Sequence, residues 1–266
     1  MRREQYKQWF WVLVLVVGCA AAGPWACRSA TMPDGLDYAD QAEFVYRQGE
    51  QALEGGSYIE ATNQFNTVRN EYPYSRWAAK ASLGIADAYF EQGQYASAVQ
   101  QYRGFMELYP RHDKVEYAHW RVALAFYEQM PSGFFLLPSP HERDLSSTRD
   151  AVRELEIFLR RFEGSEYAEE ATEKWREASQ SLATHEFEIA EFYYDRDNPQ
   201  AAANRLRYML RNYSGLGLDA EALFLLGKAY VDLEQTDRAR SVWNDLINVH
   251  STHPRATEAE QRMSQL

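Results

Sequence analysis

One pattern occurs twice in the N-terminal half of the chain, 37 residues apart. Segments 56–73 and 93–110 both open with a glycine, carry a tyrosine two positions later and end in a Tyr-Pro pair. Within this frame an alanine is followed by a large residue four positions on and by a third residue seven positions further. The frame occurs five times, with its alanines at Ala61, Ala98, Ala151, Ala202 and Ala239. Such a period predicts stacked units that each bury one face against their neighbours.

A second pattern lies upstream of these alanines and indicates that each unit is a pair of helices. Trp120-x2-Ala123-Leu124-x2-Tyr127 is close to the tetratricopeptide pattern of Trp, Leu-Gly and Tyr. Three other segments keep its second half: Ile85–Tyr89, Ile189–Tyr193 and Leu226–Tyr230. We therefore predict an all-α tetratricopeptide-repeat solenoid of five helix hairpins plus a C-terminal capping helix, which covers the last apolar face.

The spacing of the repeats sets the expected domain boundaries. Repeats 1–3 are predicted in residues 38–165, and repeats 4–5 in residues 166–266. The first helix of repeat 4 is expected to run from near Glu166 to about Asp195 and to join the two groups as a rigid strut. A long connection, Met130–Thr148, interrupts repeat 3. The polar segment Arg255–Gln265 is the expected cap.

The first residues of the chain have the layout of a targeting signal. Arg2, Arg3 and Lys7 form a positive start, and Trp9–Val17 is an unbroken apolar run. Nine helical residues rise about 14 Å, which is too short for a bilayer core of about 30 Å. The run ends in Val16-Val17-Gly18-Cys19, which resembles a bacterial lipobox.

Residues 1–18 are therefore predicted to be a lipoprotein signal peptide, and Cys19 is the residue expected to carry a covalent lipid. Residues 19–37 read as a flexible tether between this lipid anchor and the first helix. No other cofactor is expected. The alternatives are an ordinary signal peptide cleaved near Ala20–Ala22, an uncleaved anchor, and lipidation at Cys27, whose preceding residues fit a lipobox poorly.

The charge and cysteine content exclude several functions. The chain has a net charge of −11, and without residues 1–18 it has 25 basic against 38 acidic residues, which gives −13. This balance argues against nucleic acid as a partner, because binding phosphate backbones requires clustered Lys and Arg. No cysteine follows Cys27, so the folded part has no disulfide and no thiol nucleophile. No nucleotide-binding or hydrolase motif occurs either, and we predict that the protein is not an enzyme.

Two groups of polar residues have the spacing of chemical sites. His112, Glu116 and His119 could present three metal ligands on one helix face, but nearby aromatic residues favour ordinary repeat packing, and no metal site is predicted. Two carboxylate pairs could serve general acid–base catalysis: Glu186 with Glu188, and Asp195 with Asp197. Because this region is rich in acids, a solvated helix face is the favoured interpretation.

Two further features suggest contact surfaces. The apolar loop Gly133–Pro138 either folds back into a groove between hairpins or contacts a partner or the membrane surface. Arg205 and Arg207, with Arg196 and Arg211 nearby, concentrate positive charge in an acidic protein. These arginines either pair with acids of the same chain or meet an acidic partner, since arginine is enriched at interface hot spots.

The C-terminal half carries a block that resembles one known family. His185–Tyr194, followed by Asn204-Arg205 and Met209–Tyr213, is similar to the BamD family, also called YfiO. The resemblance extends over nearly the whole mature chain. It implies a scaffold lipoprotein on the periplasmic face of the outer membrane of a Gram-negative bacterium. It also implies three kinds of partner: the periplasmic domains of the barrel-forming BamA subunit, other assembly lipoproteins, and unfolded outer-membrane proteins.

The resemblance also assigns residues to these contacts. Arg205 matches the family arginine implicated in coupling to BamA, and Arg196 and Arg207 are expected to accompany it. Repeats 1–3 would offer a concave groove to substrates, with three tyrosines that have core packing as their alternative role: Tyr58, Tyr89 and Tyr95. The alternative function is that of a pilotin-like tetratricopeptide lipoprotein, which supports secretin or pilus assembly or organises cell-wall enzymes.

Overall fold

A computed structural model describes residues 35–131 and 144–266 of the chain. The described residues form eleven α-helices and no β-strand. In chain order the helices are α1 (Tyr38–Glu54), α2 (Tyr58–Glu71), α3 (Trp77–Glu91), α4 (Tyr95–Leu108), α5 (Val115–Glu128), α6 (Ser146–Arg161), α7 (Ala168–Tyr194), α8 (Pro199–Asn212), α9 (Asp219–Asp232), α10 (Thr236–Val249) and α11 (Pro254–Met263). The predicted signal peptide, Cys19, most of the tether and Gly133–Pro138 lie outside the described residues.

The helices stack as five consecutive hairpins followed by one single helix. Each helix packs on the next one along the chain, and α1, α5 and α9 also contact α3, α7 and α11 respectively. This arrangement confirms the predicted all-α tetratricopeptide solenoid with a capping helix. None of the described helices is both long and apolar enough to span a bilayer.

Small residues in the first helix of a hairpin allow the second helix to approach closely. A Cβ atom added at Gly49 would lie 2.6 Å from the ring of Phe65 on α2, well inside van der Waals contact. A Cβ atom added at Gly227 would overlap the indole of Trp243 on α10. The glycine of the repeat pattern is therefore a packing requirement, because the large side chain of the second helix occupies the space of the missing Cβ.

The structure corrects the expected register of α5 by one residue. The sequence pattern places Leu124 at the small position of the repeat. In the structure Ala123 lies five residues before the last residue of α5, as Gly49 does in α1 and Gly227 in α9. Ala123 is fully buried, whereas Leu124 is half-buried. The close helix contact thus falls on the smaller of the two neighbouring side chains.

A residue with left-handed backbone geometry lies in the turn of four hairpins. The φ angle is 72° at Gly56, 71° at Gly93, 57° at Asp197 and 58° at Glu234. The first two positions are 37 residues apart, as are the last two. Glycine adopts this conformation without steric cost, whereas an L side chain brings its Cβ too close to the following carbonyl.

Helix α7 is 27 residues long and contributes to two apolar clusters. The sequence predicted a helix from near Glu166 to about Asp195, and α7 begins and ends within two residues of those positions. Near its start, Ala171 packs in a cluster with Trp120 and Phe158. Near its end, Ala190 packs with residues of α8 and α9. One continuous helix therefore links the packing of α5 and α6 to that of α8 and α9.

The last helix covers the apolar end of the fifth hairpin. Ala256 and Ala259 of α11 are buried against Phe224 and Trp243. The sequence predicted a cap at residues 255–265. Helix α11 starts one residue before that segment and ends two residues before its end. Its alanines allow a short polar helix to approach the large aromatic residues closely.

Candidate partner-binding surface

Arg205 and Glu186 form an ion pair between α8 and α7. Nη1 of Arg205 donates a hydrogen bond to Oε2 of Glu186 at 3.2 Å. The Glu186 side chain is 8% exposed, whereas that of Arg205 is 45% exposed. A buried carboxylate thus holds one edge of the guanidinium, while nearly half of the arginine side chain remains accessible from outside.

Local sequence signals place Arg205 at this position. Asn198 caps α8, because its side chain accepts a hydrogen bond from the Ala201 amide at 3.1 Å, and Pro199 occupies the first turn, where proline is favoured. The apolar face of α8 is buried on α7, including Leu206, the residue after Arg205. Arg205 therefore lies at the border between the buried and exposed faces of α8.

The charges of Glu186 and of Arg149 both act on Tyr213, whose ring contacts that of Tyr208. The rings of Tyr208 and Tyr213 meet edge to face with their centroids 6.1 Å apart. Burial raises the pKa of Tyr213, and a hydrogen bond with Tyr208 and the charge of Glu186 raise it further, while Arg149 of α6 opposes the change. Arg149, Arg205, Tyr208 and Tyr213 are called the Arg205 surface below. Arginine and tyrosine are among the residue types enriched at the hot spots of protein interfaces.

The other arginines of the sequence cluster occupy separate positions. Arg196 follows α7 and lies 3.5 Å from the centroid of the Phe192 ring. Arg207 is exposed and donates to Oδ1 of Asn204 at 3.3 Å. Residues two apart on a helix point in directions about 200° apart, so Arg207 and Arg205 do not share a face. In the structure, Arg205 alone of these three forms an ion pair with a carboxylate of the chain's described part.

The expected solvated face of α7 is only partly present. Asp195 and Asp197 are exposed, as predicted. Glu186 is buried and Glu188 is half-buried, so the prediction was wrong for this pair. Glu186 lies on the side of α7 that α8 covers, since it pairs with Arg205. Sequence alone did not identify Glu186 as the partner of Arg205, since acids occur on every side of α7.

The three groove candidates are half-buried. Tyr89 packs against the apolar clusters of both the first and the second hairpin. The ring of Tyr95 meets that of Phe90 edge to face at 5.2 Å. Tyr58 begins α2. The contacts of Tyr89 and Tyr95 are therefore those expected for core packing, the alternative to groove lining that the sequence left open.

The structure separates the residues of the possible metal triad. Nδ1 of His112 lies 2.7 Å from the Asp113 carboxylate. The ring of His119 packs on Phe162 at 5.3 Å, and burial together with Arg161 lowers the pKa of this histidine. Within residues 35–131 and 144–266, no group of three His, Cys, Asp or Glu side chains is placed to hold a metal ion.

Comparison with known proteins identifies the family. The family model YfiO, described as "Outer membrane lipoprotein", matches residues 38–246, which span α1 to most of α10. The chain belongs to the YfiO family. This confirms the resemblance that the block from His185 to Tyr213 indicated.

Relatives of this YfiO-family chain carry the name outer membrane protein assembly factor BamD. The protein from Caulobacter vibrioides is 26% identical over 230 residues, which is 86% of this chain and 72% of the relative. The protein from Neisseria gonorrhoeae is 26% identical and covers 82% of this chain and 83% of its own length. The protein from Rickettsia prowazekii is 28% identical and covers 85% of both.

Solved structures with similar folds contain tetratricopeptide repeats. The TPR2AB domain of yeast Sti1, in its complex with pHSP90, is 14% identical with a TM-score of 0.43, and the match covers 84% of this chain and 83% of that one. A thermophilic tetratricopeptide protein of Thermus thermophilus is 15% identical with a TM-score of 0.33 and covers 84% and 97%. These scores are too low for a functional comparison.

Proposed function

We propose that the protein is a non-enzymatic scaffold lipoprotein that assists the assembly of β-barrel proteins in the outer membrane. The family match over residues 38–246 carries this proposal, together with relatives that are named assembly factors and align over most of both chains. The protein lies on the periplasmic face of the outer membrane and is held there by lipid on Cys19. The acidic surface does not favour a polybasic attachment, so the acyl chains supply the membrane affinity.

The partner contact is assigned to the Arg205 surface. Its partner is the periplasmic domain of a BamA-like barrel protein, which presents a carboxylate to the exposed edge of Arg205. Glu186 supports this role because it fixes the guanidinium in place, and an arginine that is already ordered loses less freedom on binding. Arg196 and Arg207 are proposed as outer contacts, which steer the acidic partner at longer range. Other assembly lipoproteins join the same complex.

Unfolded outer-membrane proteins are proposed to bind in the groove of repeats 1–3. Tyr58 is half-buried at the start of α2, whereas Tyr89 and Tyr95 combine groove lining with packing against the apolar clusters. Half-buried tyrosines suit this role, because the ring offers apolar area and the hydroxyl can hydrogen-bond an extended backbone.

Affinity purification from detergent-solubilised outer membranes tests the function. We expect a barrel protein with repeated periplasmic domains to co-purify with the full-length lipoprotein. Recovery of a secretin instead would support the pilotin-like alternative. Recovery of cell-wall enzymes without a barrel protein would also contradict the proposal.

Charge reversal of Arg205 tests the proposed contact. Arg205→Glu alone would place a second carboxylate beside buried Glu186, so the reversal is made together with Glu186→Gln. We expect binding to the partner's periplasmic domains to weaken by about tenfold or more. Arg240→Gln on α10 is the control, because it changes the net charge by −1, as the double variant does, at another exposed arginine. Equal losses in both variants would indicate a general charge effect, and unchanged affinity would contradict the contact.

A further inference from the structure

Two parts of the solenoid are equivalent at an offset of 104 residues. Helices α4 and α8 begin at Tyr95 and Pro199, and α5 and α9 begin at Val115 and Asp219. The two helices of each pair therefore begin 104 residues apart and have the same length. Their turns agree as well, since Gly93 and Asp197 both have positive φ angles. Side chains of α3 and α5 can therefore be compared position by position with those of α7 and α9.

In the earlier of the two equivalent parts, which contains α3 and α5, an arginine of α5 fills the space beside the end of α3. The side chain of Arg121 is 15% exposed, and its guanidinium lies 3.7 Å from the centroid of the Phe90 ring. Nη2 of Arg121 is 2.7 Å from the Glu91 carboxylate, and Nε is 3.9 Å from that of Asp87. Nε also donates to the Tyr102 hydroxyl at 3.0 Å. Two carboxylates and one aromatic ring thus form a site that an internal arginine occupies.

The later part of the solenoid keeps the two carboxylates and the aromatic ring of this site but lacks the arginine, and Leu206 stands where Tyr102 is. Asp87, Phe90 and Glu91 correspond to Glu191, Tyr194 and Asp195, while Arg121 corresponds to Leu225. A cavity of about 270 Å³ lies at this position between α7, α9 and α11. Its lining includes both carboxylates, the tyrosine ring and Leu225.

The remaining charges of the cavity have partners. On α11, Glu258 pairs with Arg255 at 2.7 Å and with Arg262 at 3.4 Å. Glu221 of α9 lies 3.3 Å from His253. Lys228 also lines the cavity, and its ammonium group lies over the Tyr194 ring at 4.6 Å.

The carboxylates of α7 lack such neutralisation. Among the described residues, no cation forms an ion pair with Glu191 or Asp195. Burial raises the pKa of Glu191, and the charges of Asp195 and Glu188 raise it further. A cation placed here would relieve the repulsion between these acids, as Arg121 does beside Asp87 and Glu91.

We propose that this cavity binds an arginine side chain of a partner polypeptide. The guanidinium enters between Glu191, Asp195 and the Tyr194 ring, in the arrangement that Arg121 has one pair of hairpins earlier. Arginine suits this site because its planar group pairs with carboxylates and stacks on aromatic faces at the same time. The site does not depend on the identity of the partner, so it stands apart from the proposed contact at Arg205.

Two short peptides test this site on the full-length lipoprotein in detergent micelles. One is acetyl-Gly-Ala-Arg-Ala-Gly-amide, and the other carries citrulline, a neutral isostere, in place of arginine. Dissociation constants come from ligand-observed NMR titrations at low salt. We expect the arginine peptide to bind the wild-type protein about tenfold more tightly than the citrulline peptide. Equal affinities would overturn the proposal.

Variants locate the binding in the cavity. Glu191→Gln with Asp195→Asn is expected to weaken binding of the arginine peptide about tenfold. Glu169→Gln with Glu170→Gln is the control, because it removes the same charge from the exposed start of the same helix. Unchanged binding in the first variant, or equal loss in the control, would contradict the site.

A cavity-filling variant provides a second, independent test. Leu225→Arg supplies an internal arginine at the position of Arg121 and is expected to abolish binding of the arginine peptide. Because Leu225 is a buried member of an apolar cluster, circular dichroism first establishes that this variant is folded. Leu225→Met, which is neutral and of similar volume, is expected to retain binding. Retained binding in a folded Leu225→Arg variant would place the peptide elsewhere and overturn the proposal.

Discussion

At the scale of single residues, the pair of Glu186 and Arg205 shows how burial distributes one interaction unequally. The Glu186 side chain is buried away from water, whereas the Arg205 side chain remains partly exposed to water. Loss of the arginine leaves a buried charge without compensation, but loss of the carboxylate charge leaves an arginine that water can solvate. The two residues are therefore expected to differ in their effect on stability.

Arg205→Ala is expected to lower the free energy of unfolding by about 1–3 kcal/mol, the range for an uncompensated buried polar group. Glu186→Gln is expected to lower it by less, because the amide can still accept a hydrogen bond from Arg205. Urea unfolding followed by circular dichroism compares the two variants. A larger loss for Glu186→Gln would show that burial of the carboxylate is not the dominant cost.

Two glycines of helix interiors are expected to respond to alanine in opposite directions. Gly227→Ala forces the Trp243 indole to move and weakens its 3.1 Å hydrogen bond to the Phe224 carbonyl, at a cost of about 1–3 kcal/mol. Gly104→Ala on α4 meets open space and should stabilise the protein by roughly 0.5–1 kcal/mol. Thermal unfolding measures both variants, and similar changes in the two would contradict the packing explanation.

At the scale of helices and turns, the sequence predicted the existence of each hairpin better than its register. Five alanines at a fixed frame are enough to predict the pairs of helices. Ala123 and Leu124 are both apolar neighbours, so the sequence pattern allowed either at the small position, and the close approach of α6 to α5 selects the smaller one. The sequence did not predict the cavity at Leu225. Aligning Leu225 with Arg121 requires the positions of the helices, because the irregular third repeat lies between them.

The turn residues give a prediction at this scale. Gly93→Ala places a Cβ in a left-handed turn and is expected to destabilise the protein by about 1 kcal/mol. At the equivalent position of the fifth hairpin, Glu234→Gly removes that conformational cost and should be neutral or slightly stabilising. Chemical unfolding of both variants checks the sign. Destabilisation by Glu234→Gly would show that its side chain contributes more than its backbone geometry costs.

At the scale of the whole molecule, each helix contacts mainly its immediate neighbours. Stability in such a solenoid is close to a sum of local units and their interfaces. Damage at one end should therefore remain near that end, and the apolar surface at each end needs a cover. In this chain the described cover is α11, whose alanines lie on Phe224 and Trp243.

Truncation after His253 removes α11 and tests this local behaviour. We expect faster amide hydrogen exchange in α9 and α10, since Phe224 and Trp243 lose their cover, and unchanged exchange in α1–α4. Exchange measured by mass spectrometry on the full-length and truncated lipoproteins gives the comparison. Uniformly faster exchange along the chain would indicate that the repeats unfold as one cooperative unit.

The continuity of α7 sets the geometry between two binding points of opposite charge preference. Glu186 and Glu191 are five residues apart, which corresponds to about 8 Å along the helix axis and a rotation of about 140°. A partner that offers a carboxylate at Arg205 and an arginine at the cavity would bind in one direction only, since the reversed segment would meet like charges at both points. If one segment makes both contacts, the first raises the effective concentration for the second. When one segment makes both contacts, the rigid helix fixes the direction in which that segment binds.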